Sequence, residues 1–285
     1  MSEIAIVTDS TAYLSAAERS EYGITMVPLN VIFGDETFQE ETDITAEQFY
    51  EKMKSAEQLP TTSQPPVGLF EETFSELAKT YDDIIVVTLS SGISGAHQTA
   101  LTAANVTENA RVHVFDSEIS CYVQGFFVLT AAKLAEKGKS VKEIMDHLYD
   151  MKTRTRAYFM ADDLSHLHRG GRLNGAQLIV GSMLQIKPVL HFENKVIVPY
   201  EKVRTEKKAL AKIRALLDED AAGGEALEIA VIHANRPDKA EEIAAEIRGQ
   251  HPACNVTVSH FGPVIGTHIG EGSLGIGWTE ARLTV

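Results

Sequence analysis

Four short stretches of this chain gather hydroxyl and glycine residues at spacings that could hold an anion. Thr8-Asp9-Ser10-Thr11 ends a short apolar run, Ser90-Ser91-Gly92-Ile93-Ser94-Gly95 ends a second, and Asp116-Ser117 ends a third. Thr61, Thr62 and Ser63 lie in PTTSQPP, residues 60–66. These groups offer O–H and N–H donors and few cations. Ser90 to Gly95 leads into a helix, whose first N–H groups and partial positive charge would join them. Such a set suits a small anion of low charge, a carboxylate above all. It suits a triphosphate less, because no lysine follows the glycines as in a P-loop. The first strand is followed by TDST rather than GxGxxG, so no dinucleotide fingerprint is present. The ordinary use of Ser or Thr before a helix is capping. The binding reading rests on four such segments at corresponding strand or loop ends.

Two further groups could add to this chemistry. His268 lies in GPVIGTHIGEG, where flanking glycines let the backbone approach a ligand or another segment closely. Arg169 and Arg172 flank Gly170-Gly171, as a solvated turn or as a clamp on an anion or on the rest of the molecule. Ser94 with Asp116 and His268 has the residue types of a hydrolase triad. The surrounding Gly92-Ile93-Ser94-Gly95-Ala96 lacks the last glycine of a nucleophile elbow. Cys121 and Cys254 are in no metal-ligand spacing and read as reduced thiols. Trp278 reads as packing.

The elements that must position these residues follow from periodicity. Strand-like runs at Ile4–Val7, Ile84–Leu89 and Arg111–Phe115 alternate with helical segments at 67–79, 96–104 and 121–136, which predicts a covered parallel sheet. Ile24–Phe33 reads as a strand interrupted by Pro28, and capping boxes at Thr45/Gln48 and Ser140/Glu143 open helices. Beyond about residue 156 the pattern changes to strands at 157–161, 228–233 and 255–259, a hairpin around Glu193-Asn194-Lys195, and helices at 205–217 and 237–248. His168 to Arg172 reads as a loop, and the glycine-rich GPVIGTHIGEGSLGIGW as unable to form regular helix. The expected fold is α/β, an N-terminal three-layer domain with a parallel sheet over 1–158 and a C-terminal α+β domain over 159–285.

The 285 residues carry 40 acidic and 26 basic side chains, a formal net charge of −14. That surface repels nucleic-acid backbones and anionic lipid headgroups. MSEIAIVTDS has neither a basic n-region nor a long apolar segment, so no signal peptide is expected and a cytoplasmic location is. No apolar run is long enough to cross a bilayer.

The ordered series TDS, PTTSQP, SSGISG, DS after a strand, GGR, KPVL and GxHxGxG resembles the DegV family of bacterial fatty-acid-binding proteins over essentially the whole chain. The resemblance implies a two-domain fold that holds one long-chain fatty acid, carboxylate at the domain junction and acyl chain buried. It implies a binding subunit without catalytic activity, cofactor or metal. This subunit would present the carboxylate to a separate ATP-dependent fatty acid kinase, which makes acyl-phosphate for phospholipid synthesis. By motif position, Thr62, Ser94, Gly95 and His268 would hold the carboxylate, with Ser63, Arg172 and Ser117 nearby. Ile93, Phe126 and Leu164 are candidates for the tunnel wall. Two positions depart from the family pattern. Glu271 replaces the proline of HxGPG and is expected to point outward, and His97 stands where relatives often have Thr or Tyr. The alternative reading is a serine hydrolase using Ser94 and His268.

Overall fold

The computed structural model describes residues 4–173 and 186–284. Strands β1 (Ile4–Asp9), β2 (Thr25–Val27), β6 (Asp83–Thr88) and β7 (Arg111–Asp116) form a parallel sheet in the order β2-β1-β6-β7. The central strands are apolar on both faces because both are covered. Helices α3 (Val67–Leu77) and α4 (Ala96–Ala104) pack one face through Phe70, Phe74, Ala100 and Ala103. Helix α5 (Tyr122–Glu136) packs the other, against Ile6, Ile85 and Val87. This is the expected three-layer arrangement.

The run at 24–33 divides at Pro28. Thr25–Val27 joins the parallel sheet, whereas β3 (Asn30–Phe33) pairs antiparallel with β4 (Glu36–Gln39) and β5 (Thr61–Ser63). Thr61 to Ser63, expected as a loop, is therefore an edge strand. Its flanking prolines sit outside the paired residues, where they cost no ladder bond. Helices α1 (Ala16–Glu21) and α2 (Ala46–Ser55) both start at reciprocal capping boxes, Ser15/Glu18 and Thr45/Gln48.

Helix α6 (Val141–Arg154) leads into a six-stranded mixed sheet. It contains β8 (Arg156–Met160), β9 (Val189–Glu193), β10 (Val196–Glu201), β11 (Leu227–His233), β12 (Asn255–His260) and β13 (Leu274–Glu280), in the order β10-β9-β8-β13-β11-β12. The expected boundary at 158 falls inside β8. Helices α8 (Glu206–Ala221) and α9 (Pro237–Gln250) cover one face, where Trp278 is buried and donates from Nε1 to Asp220 at 2.7 Å. The other face turns toward α5. A helix with 11 of its 15 residues buried has no polar side to spare, and α5 lies between the two sheets. One apolar core thus joins Ile85 and Val87 to Ala230 and Ile232.

Two short helices depart from the expected pattern. Leu164–Gly170 is helix α7, closed by Gly171 in the left-handed region, so most of the expected HRGGR loop is a helix end. Pro263–Ile269 is helix α10. Its proline opens the first turn. Gly266 is there for contact: a Cβ would stand 2.7 Å from Tyr50 Oη and 2.9 Å from Phe49 Cε1. Packing overrides the low helix propensity of glycine.

Candidate functional site

A cavity of about 330 Å³ opens between the two sheets. At one end stand Thr62, Ser63, Gln64, Ser94, Gly95, Arg172 and His268. The rest is mainly apolar, with Leu29, Leu89, Val123, Ile232, Phe261 and Val264 among its walls. Its volume lies in the range of small-ligand sites, and an apolar body with a few polar groups at one end is their usual make-up.

The Ser90–Gly95 turn is fixed by neighbouring strand ends. Leu89 N–H donates to Asp9 Oδ2 at 2.7 Å, Ser90 N–H to the Ile119 carbonyl at 2.7 Å, and Ser91 Oγ to Asp116 Oδ2 at 2.5 Å. Ser90 Oγ donates to the Lys195 carbonyl at 2.6 Å, so the β9–β10 turn closes over the loop. A Cβ at Gly92 would come within 2.2 Å of that carbonyl oxygen. Ser94 Oγ accepts from Ala96 N–H at 3.2 Å, which leaves its own proton to donate. Gly95 is the N-cap of α4 and brings no side chain there.

His268 arrives from the last turn of α10. Its Nε2 shares a hydrogen bond with Thr62 Oγ1 at 2.8 Å, and a Cβ on Gly170 would lie 2.4 Å from Nδ1. Burial, with Arg172 and His166 nearby, pushes its pKa down to about 4. The imidazole is therefore neutral at pH 7, a donor at one nitrogen and an acceptor at the other. Arg172 donates from Nε to the Ile93 carbonyl at 3.2 Å and from Nη1 to the Gly170 carbonyl at 2.5 Å. Thr62, Arg172 and His268 also line a second, outer groove of about 290 Å³ with Arg169 and His166. These three side chains form a partition between groove and cavity.

Some expected residues lie elsewhere. Ser117 lines a separate cavity with Glu118 and Lys152, and its hydroxyl donates to the Ile119 carbonyl at 3.1 Å. It braces the turn that holds Ser90. Thr8, Asp9, Ser10 and Thr11 are buried and bonded to protein groups. His97 pairs with Thr88 Oγ1 at 3.1 Å, outside the cavity lining. Ile93 lines the cavity, whereas Phe126 and Leu164 are core residues that do not. Glu271 accepts from Asn235 at 2.6 Å and faces Lys54. The triad has no geometric support: Asp116 is held by Ser91 and Lys195, and His268 by Thr62.

Sequence reasoning missed Gln64 and Cys121 in the lining. Gln64 Nε2 donates to Thr99 at 2.6 Å, and its Oε1 would lie 1.8 Å from a Cβ at Gly95. The TSQP motif was the available signal. Cys121 is a buried, free thiol at φ 63°, and burial pushes its pKa up to about 12. Among the described residues no group of three or more His, Cys, Asp or Glu is placed to hold a metal, and no helix is long and apolar enough to cross a membrane.

A family model described as "Uncharacterised protein, DegV family" matches residues 3–281. A DegV domain-containing protein of Halalkalibacterium halodurans is 56% identical over 279 residues, which cover 98% of this chain and 99% of that one. The crystal structure of DegV, a fatty acid binding protein from Bacillus subtilis, aligns with a TM-score of 0.94 at 50% identity, covering 98% of this chain and 100% of that chain. A DegV family protein from Thermus thermophilus, also described for fatty acid binding, aligns with a TM-score of 0.91 at 28% identity, covering 98% and 100%.

Proposed function

The chain belongs to the DegV family, and on that premise we propose that it binds a single long-chain fatty acid. The carboxylate sits among Thr62, Ser94, Gly95 and His268, and the acyl chain fills the apolar cavity. The observation that carries this reading is the cavity itself, hydroxyl, amide and imidazole donors with one guanidinium at one end and mainly apolar walls beyond. A tail of ~14 methylenes at ~0.8 kcal/mol each contributes on the order of 10 kcal/mol before ordering costs. The tail dominates affinity. The head group's desolvation costs several kcal/mol if unpaired, and the donors offset it.

No reaction is assigned to this chain, and no cofactor is needed for binding. We further propose that it serves a separate ATP-dependent kinase in the cytoplasm, which converts the held carboxylate to an acyl-phosphate for phospholipid synthesis. The partition of Thr62, Arg172 and His268 supports this, because it puts the carboxylate end within reach of the outer groove. Ser63 and Arg172 flank the head group in that arrangement.

Native mass spectrometry of the purified chain tests the binding reading. A co-bound mass of fatty-acid size is expected; a chain that carries none and takes up none refutes it. Thr62→Ala with Ser94→Ala removes two hydroxyl donors to a charged group, each worth about 1.5–3 kcal/mol. Affinity for the acid is then expected to fall a hundredfold or more by titration. Unchanged lipid content in the double variant refutes the head-group assignment. Labelling of Ser94 by a fluorophosphonate would instead revive the hydrolase alternative.

A further inference from the structure

Glu40 is fully buried, at 0% exposure, and the binding chemistry described above does not use it. It follows β4 and is absent from the cavity lining. Among the described residues no cation is bonded to it; instead it collects two hydroxyl donors from one segment and a backbone N–H from another, far away in sequence. Ser10 Oγ donates to Oε2 at 2.5 Å, Tyr13 Oη to Oε1 at 2.9 Å, and Val264 N–H to Oε1 at 2.7 Å. The same donors pass the contact on. Ser10 Oγ accepts from Leu29 N–H at 3.1 Å, and Tyr13 Oη accepts from Ile265 N–H at 3.3 Å.

Val264 and Ile265 lie in the first turn of α10, whose N–H groups have no partner within the helix. The residue that would ordinarily cap them is Gly262, which has no side chain to do so. Gly262 is bare for a reason: a Cβ there would lie 2.3 Å from Tyr13 Cε1 and 3.1 Å from Glu40 Oε1. The cap of α10 is supplied from 224 residues away. One turn beyond Val264 on the same helix stands His268, which meets Thr62.

We propose that Glu40 is a positioning residue for the head-group end of the cavity, capping α10 across the molecule and so setting where His268 stands. This inference rests on the fatty-acid reading above. A carboxylate needs donors at fixed places, whereas the tail needs only apolar wall. Misplacing α10 therefore harms the acid more than a ligand of equal length with a neutral head. A brace that merely stabilised the fold would weaken both alike.

The experiment compares affinity for palmitic acid with affinity for hexadecanol in the wild-type chain, in Glu40→Gln and in Tyr13→Phe. Glu40→Gln keeps the shape and puts an amide donor in place of the oxygen that meets Ser10; Tyr13→Phe removes one donor to Glu40 and carries the test if the first variant does not fold. The wild type is expected to favour the acid, and each variant to lose that preference, by about tenfold for Glu40→Gln and less for Tyr13→Phe. Wild-type preference that survives within twofold in the folded variants overturns the positioning role and leaves the function standing. A wild-type chain that binds neither ligand overturns both.

Discussion

The two sides of the head-group end are built on different principles. The Ser90–Gly95 side takes most of its support from ends of its own parallel sheet, through Asp9, Asp116 and the Ile119 carbonyl. The α10 side has no cap of its own. It depends on Glu40 and Tyr13 at one end, and on Tyr50 and Phe49 against its middle, all from the opposite half of the chain. The first side can form whenever the parallel sheet forms. The second exists only while the two sheets are docked. A binding site assembled this way couples ligand retention to the fit between halves.

The largest effect expected from this difference comes from paired glycine substitutions. At Gly266 a side chain would run into Tyr50 and Phe49, both buried. Gly266→Leu is therefore expected to cost about 3 kcal/mol, at the upper end of overpacking. At Gly95 a Cβ meets only the tip of Gln64, which can swing away. Gly95→Ala is expected to cost less than about 1 kcal/mol. Denaturant titrations of the two variants measure this. Equal costs would break the comparison, because α10 would then not be wedged between aromatic rings.

The same contrast explains what could be read in the residues alone. Ser90 to Gly95 was legible because a buried strand, glycines and a helix follow in line, and each leaves a local trace. His268 was noticed, but its helix was not. Gly262, Gly266 and Gly270 argue against helix locally, and the reason for two of them lies in Tyr13, Phe49 and Tyr50, far away in sequence. Glu40 leaves no trace at all. It sits in DETFQEETD, which reads as a solvated surface stretch, and becomes buried only through contacts with α10. Ser15 and Glu18 do carry a local signal, the capping box that opens α1. The alternation of strands and helices sufficed for the parallel sheet and for most of the second sheet, because there each element's periodicity records which face is covered.

A smaller effect should appear in the pH dependence of stability, where the two ends of α10 act with opposite sign. Burial pushes the Glu40 carboxyl up to about 8 against an ordinary 4.5, the donors from Ser10, Val264 and Tyr13 opposing and Glu41 adding. A raised pKa contributes stability in full below 4.5, and that contribution is lost as pH rises through 8. His268 is the reverse: lowered to about 4 from 6.5, its contribution is full above 6.5 and is lost as pH falls through 4. Between 6.5 and 8 only Glu40 of this pair slopes, by no more than about 1.4 kcal/mol per pH unit. Glu40→Gln is expected to flatten wild-type stability there, and His268→Gln to reduce the loss below 6.5. His233, also pushed down to about 4, titrates in that acid window, so the difference between wild type and variant isolates His268. An unchanged slope above 6.5 in Glu40→Gln would mean that the carboxyl does not titrate in the folded chain as its burial requires.

The smallest effect sharpens the comparison by removing a cap of the ordinary local kind. Ser140 accepts from Glu143 N–H at 3.3 Å while Glu143 Oε2 accepts from Ser140 N–H at 3.0 Å, so α6 carries its whole cap within four residues. Both side chains are exposed, and water can replace them. Ser140→Ala is expected to cost about 1 kcal/mol and to leave the preference for acid over alcohol as in the wild type. The cap at Glu40 differs on each count: it is buried, water cannot substitute for it, and the helix it serves carries a head-group contact. Measuring stability and ligand preference together for Ser140→Ala and Glu40→Gln separates the two kinds of cap. If Ser140→Ala also erodes the preference for the acid, loss of stability alone suffices to do so, and the distinction between a locally braced side and a remotely capped one falls.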